Sequence, residues 1–309
     1  MSVYTPVSTE ELEQFLTQYS VGSLQYYVGI TAGIENSNFF VTTTGGDYVL
    51  TLFEHHTPAE LGYFMAVLQH WAQADIPVAE PVCTRNRQVL NTLNGKPAAL
   101  LTRLAGTHPE QPTAAECAQM GEILARMHVA GETFPLKRPP DRGHDWRMQT
   151  AEHVLPHLDS EDAALLKREM AFQQTLTLDQ LPSGTIHADL FRDNALLVDG
   201  KLSGVLDVYF ACTDSLLYDL AVLVNDWCGQ ADGALQTDKL EACIGAYQTV
   251  RPWTALEQHY WPALLRAAVL RFWLSRLVAK LNPREGEIAW QKDPTEFRNK
   301  LLWLHKTYA

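Results

Sequence analysis

The stretch from residue 187 to residue 207 leaves this chain little choice of local structure. It reads H-A-D-L-F-R-D-N-A-L-L-V-D-G-K-L-S-G-V-L-D. Asp199-Gly200 is a favoured pair for a type I′ turn, and apolar runs at 195–198 and 202–206 flank it. A tight turn folds 195–206 back on itself as a hairpin. Asn194, entering the first strand, and Asp207, leaving the second, then lie at the same end of the ribbon. Asp189 stands five residues before Asn194 and eighteen before Asp207. A histidine (His187), a carboxylate, an amide and a second carboxylate are thereby gathered on two loops joined by one hairpin.

Phosphoryl transfer from ATP needs such a set. One carboxylate orients or receives a hydroxyl proton, and an amide oxygen and a carboxylate hold Mg²⁺ on the phosphates. Two oxygens from adjacent strand ends suit a small, hard cation that keeps several waters. The protein-kinase catalytic loop follows the same order, an Asp base and an Asn ligand and then a metal-binding Asp. Each Asp taken singly reads as a turn residue or a cap. The spacing, the hairpin and a strand ending at Ile186 together favour the phosphotransferase reading.

At 309 residues the chain suits one large or two medium domains. Its net charge of −12 opposes nucleic acid or an anionic membrane as partner, and an ATP enzyme so acidic must concentrate cations locally. Five scattered cysteines without a C-x-x-C pair fit reduced thiols and a cytoplasmic location. No signal peptide is apparent, and no apolar run reaches the roughly 18 residues of a membrane span. Nothing in the sequence sets the oligomeric state.

Along the chain, Ser8-Thr9-Glu10-Glu11 reads as a capping box with Val7 and Leu12 as a staple, starting a helix from about 9 to 19. Strands are expected at 24–30, 38–43 and 48–53, a helix from Thr57-Pro58, and strands at 88–93 and 96–102 around the hairpin pair Asn94-Gly95. Helical patterning dominates beyond Thr113: 114–130, 147–158, 160–177, 216–228, 235–250 and a mostly apolar 255–280. The expected architecture is α+β and bilobal. Residues 1–102 form a small antiparallel β lobe with one helix on a face, and 103–309 form a larger helical lobe carrying the catalytic loop.

The loop 33–38 between the first two strands is the candidate phosphate cradle. Gly33 and the backbone amides around Asn36 can face phosphate oxygens, with Ser37 and Asn38 adding side-chain donors. Neither a Walker A nor a Rossmann fingerprint occurs. The third strand carries Thr51 where kinases have a phosphate-binding lysine, and Lys96 is badly placed to replace it. Arg103, at the connection, is grouped with the nucleotide-binding residues. Arg192, beside the catalytic Asp, is the candidate cation at the transferring phosphoryl group, with pairing to Asp193 or Asp189 as its ordinary reading.

These residues resemble the aminoglycoside-phosphotransferase/choline-kinase superfamily, whose members carry H-x-D-x-x-x-x-N followed by an I-D-[WF]-like segment. Here V-L-D-V-Y-F at 205–210 fills the second place. The segments at 33–41 (G-I-E-N-S-N-F-F-V), 48–54 (Y-V-L-T-L-F-E), 209–221 (Y-F-A-C-T-D-S-L-L-Y-D-L-A) and 271–277 (R-F-W-L-S-R-L) bring it close to the homoserine kinase branch, over about residues 5 to 305. Threonine on the third strand is a habit of that branch. The resemblance implies a protein-kinase-like fold, ATP and Mg²⁺ as cofactors, and phosphorylation of L-homoserine on the way to threonine. It also implies Asp189 as base, Asn194 and Asp207 as Mg²⁺ ligands, and His187 and Asp219 as structural support. For the amino-acid substrate, Arg142, His144, Asp145, Trp146, Tyr209 and Asp214 are candidates, with Asp214 first for the ammonium. The alternatives are a kinase for choline, ethanolamine, an aminoglycoside or a sugar, and a nucleotide-binding module without turnover.

Overall fold

The computed structural model describes residues 3–31, 36–282 and 292–308. The chain divides into two compact units, one of Met1–Gly106 with Ser203–Leu206 and one of Thr107–Leu202 with Asp207–Ala309.

The first unit runs α1 (Thr9–Leu16), β1 (Leu24–Gly29), β2 (Asn36–Thr43), β3 (Gly46–Phe53), α2 (Pro58–Gln73), β4 (Asn91–Leu93) and β5 (Lys96–Thr102). Its antiparallel sheet has the order β1-β2-β3-β5-β4. Asn94 and Gly95 take φ of 50° and 75°, the left-handed pair that a type I′ turn requires. The N-termini of α1 and α2 are written in the sequence as reciprocal caps, Ser8 with Glu11 and Thr57 with Glu60. Val7 and Leu12 are both buried, as a staple requires. The apolar face of α1 (Leu12, Phe15, Leu16) closes over Phe39, Val41, Leu50 and Leu52 of the sheet. Helix α1 stops at Leu16, short of Tyr19, because the Thr17 hydroxyl bonds back to the Gln14 carbonyl and Tyr19 turns inward. Strand β4 is shorter than 88–93, because the Thr84 hydroxyl takes the Gln88 amide and holds that residue in a turn.

In the second unit come α3 (Ala114–Gly131), α4 (His144–Val154), α5 (Ser160–Gln173), β6 (Ser183–Ile186) and β7 (Ala195–Val198). In chain order the hairpin partner β8 (Lys201–Val205) follows, its residues from Ser203 on counted with the first unit, then β9 (Cys212–Ser215), α6 (Leu216–Trp227), α7 (Thr237–Val250), α8 (Ala255–Leu281) and α9 (Thr295–Thr307). Asp199 and Gly200, with φ of 50° and 72°, make the β7–β8 turn. Strand β9, which the sequence reading lacked, pairs with β6 from Ser183↔Ser215 to Ile186↔Cys212. Helices α3 and α7 approach so closely at Gly121 that a Cβ there would lie 2.1 Å from the Cys243 carbonyl oxygen. Helix α8 is buried on nearly every side, as its composition demanded. Among the described residues no helix is long and apolar enough to cross a membrane.

Helix α9 was also missed. Its stripe of Phe297, Leu301 and Leu304 is buried but lies among charges. Those charges are paired: Glu296 contacts Arg276 of α8 at 2.7 Å and Lys300 at 2.6 Å. Burial pushes the Glu296 carboxyl up, but Lys300 and Arg276 outweigh it and bring it from 4.5 to about 2. A carboxyl lowered on folding stabilises above its unfolded value, and that contribution disappears as pH falls through the folded one. Glu296→Gln is therefore expected to lower the melting temperature at neutral pH. The gap to wild type should narrow as pH drops from about 4.5 toward 2, followed to the acid limit of the native protein; a gap independent of pH in that window would refute the pairing.

Candidate active site

Strand β6 delivers the chain at Ile186 into the loop 187–194. The backbone amides of His187 and Ala188 donate to the Asp219 carboxylate at 2.8 and 2.7 Å. Asp219 lies in the first turn of α6, fully buried, and His128 Nε2 sits 3.0 Å from it, with His128 Nδ1 2.7 Å from the Tyr247 hydroxyl. Burial pushes the Asp219 carboxyl up, but His128 and His187 hold it below the usual carboxylate range. Ala188 adopts φ of 63°, a left-handed conformation that costs an L-residue about 1–2 kcal/mol. Its backbone is clamped at both ends, the N–H by Asp219 and the carbonyl by Arg271 Nη1 at 2.8 Å. Strain of this kind persists where the surroundings over-determine it, and such places cluster at functional sites.

The clamp presents Asp189. Its Oδ1 lies 3.0 Å from Arg271 Nη1, and its Oδ2 accepts from Asn194 Nδ2 at 3.3 Å. Asn194 Nδ2 also donates to the Asp189 carbonyl at 2.8 Å. The amide hydrogens of Asn194 are thus spent on Asp189, and among the described residues its Oδ1 accepts no hydrogen bond. Asp207 follows β8 with φ of 56° and an exposed side chain, at the same end of the ribbon as Asn194. No group of three His, Cys, Asp or Glu side chains that could hold a metal occurs among the described residues. An amide oxygen and one carboxylate instead suit a cation that takes its remaining ligands from water and phosphate.

Arg192 is placed differently from expectation. Its Nε and backbone N–H both reach Asp226 Oδ2, at 3.0 and 2.7 Å, and Nη1 reaches the Glu110 carbonyl. Asp193 pairs with Lys292 at 2.6 Å. The arginine against Asp189 is Arg271, from the middle of α8. Its signal was legible: a charge in a helix apolar on all sides must be buried and paired.

On the first unit, Gly33 lies outside the described residues. Ser37, expected as a phosphate donor, is fully buried. Its hydroxyl accepts the Tyr4 and Thr5 amides and donates to Glu54, so it is occupied within the fold. Asn36 is buried, and Asn38 and Thr51 face each other on β2 and β3, the threonine hydroxyl donating to Asn38 Oδ1 at 2.8 Å. Lys96 pairs with Glu54 at 3.0 Å. The Arg103 guanidinium lies 4.0 Å over the Phe40 ring.

Among the substrate candidates, Arg142 reaches Ser275 Oγ and stands 5.1 Å from the ring centroids of both Trp146 and Phe210. Phe210 is approached by Arg271 as well, at 5.0 Å. Tyr209 is half-buried, and His144 and Asp145 are exposed at the start of α4. Asp214 on β9 accepts the Ser215 amide at 2.7 Å; burial pushes its carboxyl up.

The sequence pattern of the phosphotransferase enzyme family matches residues 27–253. The homoserine kinase of Methylobacillus flagellatus is 46% identical over 301 residues, covering 97% of this chain and 94% of that one. The homoserine kinase of Neisseria meningitidis serogroup B is 44% identical over 304 residues, covering 98% of this chain and 100% of that one. Among solved structures, an amicoumacin kinase in complex with AMP-PNP, Ca²⁺ and Ami matches with a TM-score of 0.71 at 14% identity, over 97% of this chain and 92% of that one. A spectinomycin phosphotransferase in complex with ADP and spectinomycin matches with a TM-score of 0.67 at 11% identity, over 96% and 94%. At those identities the likeness is one of fold.

The Asp219 clamp gives a direct expectation. Asp219→Asn removes the charge from hydrogen bonds that are each worth about 1.5–3 kcal/mol when one partner is ionised. It should destabilise the protein by about 2–3 kcal/mol in urea unfolding, and lower turnover even where the protein is folded. Unchanged stability would show that the loop does not depend on this carboxylate.

Proposed function

Because the chain belongs to the phosphotransferase enzyme family, we propose that it transfers the γ-phosphoryl group of ATP to the side-chain hydroxyl of L-homoserine, giving O-phospho-L-homoserine and ADP, a step toward threonine. The observation that carries this reading is Asp189, held on a strained loop with one carboxylate oxygen on Arg271 and the other on Asn194. The acceptor follows from relatives named homoserine kinase at 42–46% identity over about 97% of the chain. Five free thiols fit a cytoplasmic enzyme.

Asp189 orients the homoserine hydroxyl and takes its proton as the phosphoryl group arrives. In a loose transition state the nucleophile needs little activation, so placing it accurately supplies most of the effect. Arg271 and Asn194 fix the carboxylate for that purpose. Asn194 Oδ1 and Asp207 are the residues that would hold Mg²⁺, which when bound neutralises charge on the phosphates. On the first unit the nucleotide-binding set is Gly33, Asn36, Asn38, Thr51 and Arg103, without Ser37. Arg192 acts as a brace, tying the loop to Asp226 and Glu110, and His187 receives the Asp189 amide at 3.3 Å.

ADP release measured with homoserine, serine, choline, kanamycin and methylthioribose tests the acceptor. Homoserine should lead the panel; a preference for choline or kanamycin would overturn the reading, and no turnover with any acceptor would leave a nucleotide-binding module. Asp189→Asn is expected to lower kcat by at least ~10²-fold, as general-base loss does, and near-normal turnover would remove Asp189 from its role. Asp207→Asn should shift the Mg²⁺ titration to higher concentration, and an unmoved titration would count against its assignment.

A further inference from the structure

Arg147, the fourth residue of α4, is 3% exposed, yet among the described residues its side chain makes no hydrogen bond and no ion pair. Its Nε is wholly enclosed. The Tyr218 ring faces it, its centroid 5.6 Å from the guanidinium carbon. The Tyr218 hydroxyl is buried and bonded to nothing either, and neither is Ser215 Oγ. Buried polar atoms are nearly always satisfied, and a buried guanidinium without a partner is far costlier than a lone hydroxyl. Such atoms on Arg147 and Tyr218, which face each other, mark a place that a ligand completes.

The charges around it say which ligand. Arg147 acts electrostatically on the half-buried Asp214, yet the two are more than 4.0 Å apart and form no ion pair. Helix α4, which carries Arg147, packs against α8, which carries Arg271. Burial pushes the Tyr218 hydroxyl up, while Arg271 and then Arg147 pull it down, and Arg271 is the residue bonded to Asp189. A cation, two unused hydroxyls and a separate carboxylate beside a phosphoryl-transfer base match a small zwitterion bearing an alcohol.

We propose that Arg147 is the anchor for the acceptor's α-carboxylate, that the Tyr218 hydroxyl donates to the same group, and that this pair selects hydroxy-amino acids over neutral or cationic alcohols. The proposal rests on the amino-acid reading of the acceptor given above and adds the residues that enforce it. Truncating one partner of a buried charge pair costs enough to change binding by about 10²-fold or more.

The test compares L-homoserine with L-homoserine amide, which keeps the hydroxyl and the ammonium but loses the negative charge. Wild type should favour homoserine by at least ~10²-fold in kcat/KM. Arg147→Gln should raise the homoserine KM by about 10²-fold while the KM for ATP and for the amide move less than about threefold, so that the preference collapses. Arg147→Lys should recover part of it, and Tyr218→Phe should raise the homoserine KM by about tenfold. Thermal melting of each variant, with and without homoserine, separates lost binding from lost fold; the homoserine-induced rise in melting temperature should vanish in Arg147→Gln. If Arg147→Gln does not fold, wild-type discrimination between acid and amide and its roughly tenfold weakening in Tyr218→Phe carry the decision. Equal losses on both acceptors, or no wild-type preference for the acid, would overturn the anchor while leaving the kinase intact. Absence of turnover on any carboxylate-bearing alcohol would sink the acceptor assignment and the anchor together.

Discussion

One buried carboxylate governs the geometry of the second unit. Asp219 takes the backbone amides of His187 and Ala188 and the ring of His128, three donors from two elements outside its own helix. An ionised oxygen pair in a dry interior is tolerable only when its lone pairs are filled. Filling them fixes where β6 ends, which way the next residues turn, and so where Asp189 stands. The placement of Asp189 is thus a by-product of satisfying a charge that is wholly buried.

Helix α8 complements this from the opposite sense of charge. Arg266, Arg271 and Arg276 recur every five residues, so each is turned by about 140° from the last on a helix of 3.6 residues per turn. They fan out to Glu169 of α5, to Asp189, and to Glu296 of α9. In a chain carrying −12 overall, Arg271 thereby places a buried cation beside the loop 187–194. Bulk charge describes the solvent-facing surface and says little about the field at such a site.

Much of this was legible in the letters. Turn chemistry at Asn94-Gly95 and Asp199-Gly200 and capping at Ser8 and Thr57 gave the hairpins and helix starts, because local rules decide those features. Spacing was enough to bring Asp189 and Asn194 into contact. The omissions have a common cause. Strand β9 is four residues long and exists only because β6 lies beside it, and α9 hides its apolar stripe among charges neutralised by a distant helix. Arg192 was read as a cation for the transferring phosphoryl group, or as paired with a sequence neighbour, whereas its partner Asp226 lies thirty-four residues away. Ser37 looked available because nothing local announces that Tyr4, Thr5 and Glu54 converge on it. Tertiary pairing of polar groups leaves no periodic trace, and only the burden of a buried charge, as at Arg271, betrays it in advance.

The φ of 63° at Ala188 restricts the spelling of the H-x-D motif. A pattern written H-x-D treats its middle letter as a wildcard, but here that letter must live in a region of backbone space closed to branched side chains. The residue is also buried, which excludes bulk as firmly as the torsion excludes branching. A sequence with valine or isoleucine between the histidine and the aspartate would satisfy the pattern on paper and be unable to build this loop. Motif searches for folds of this kind gain discrimination by reading the silent position together with the two loud ones.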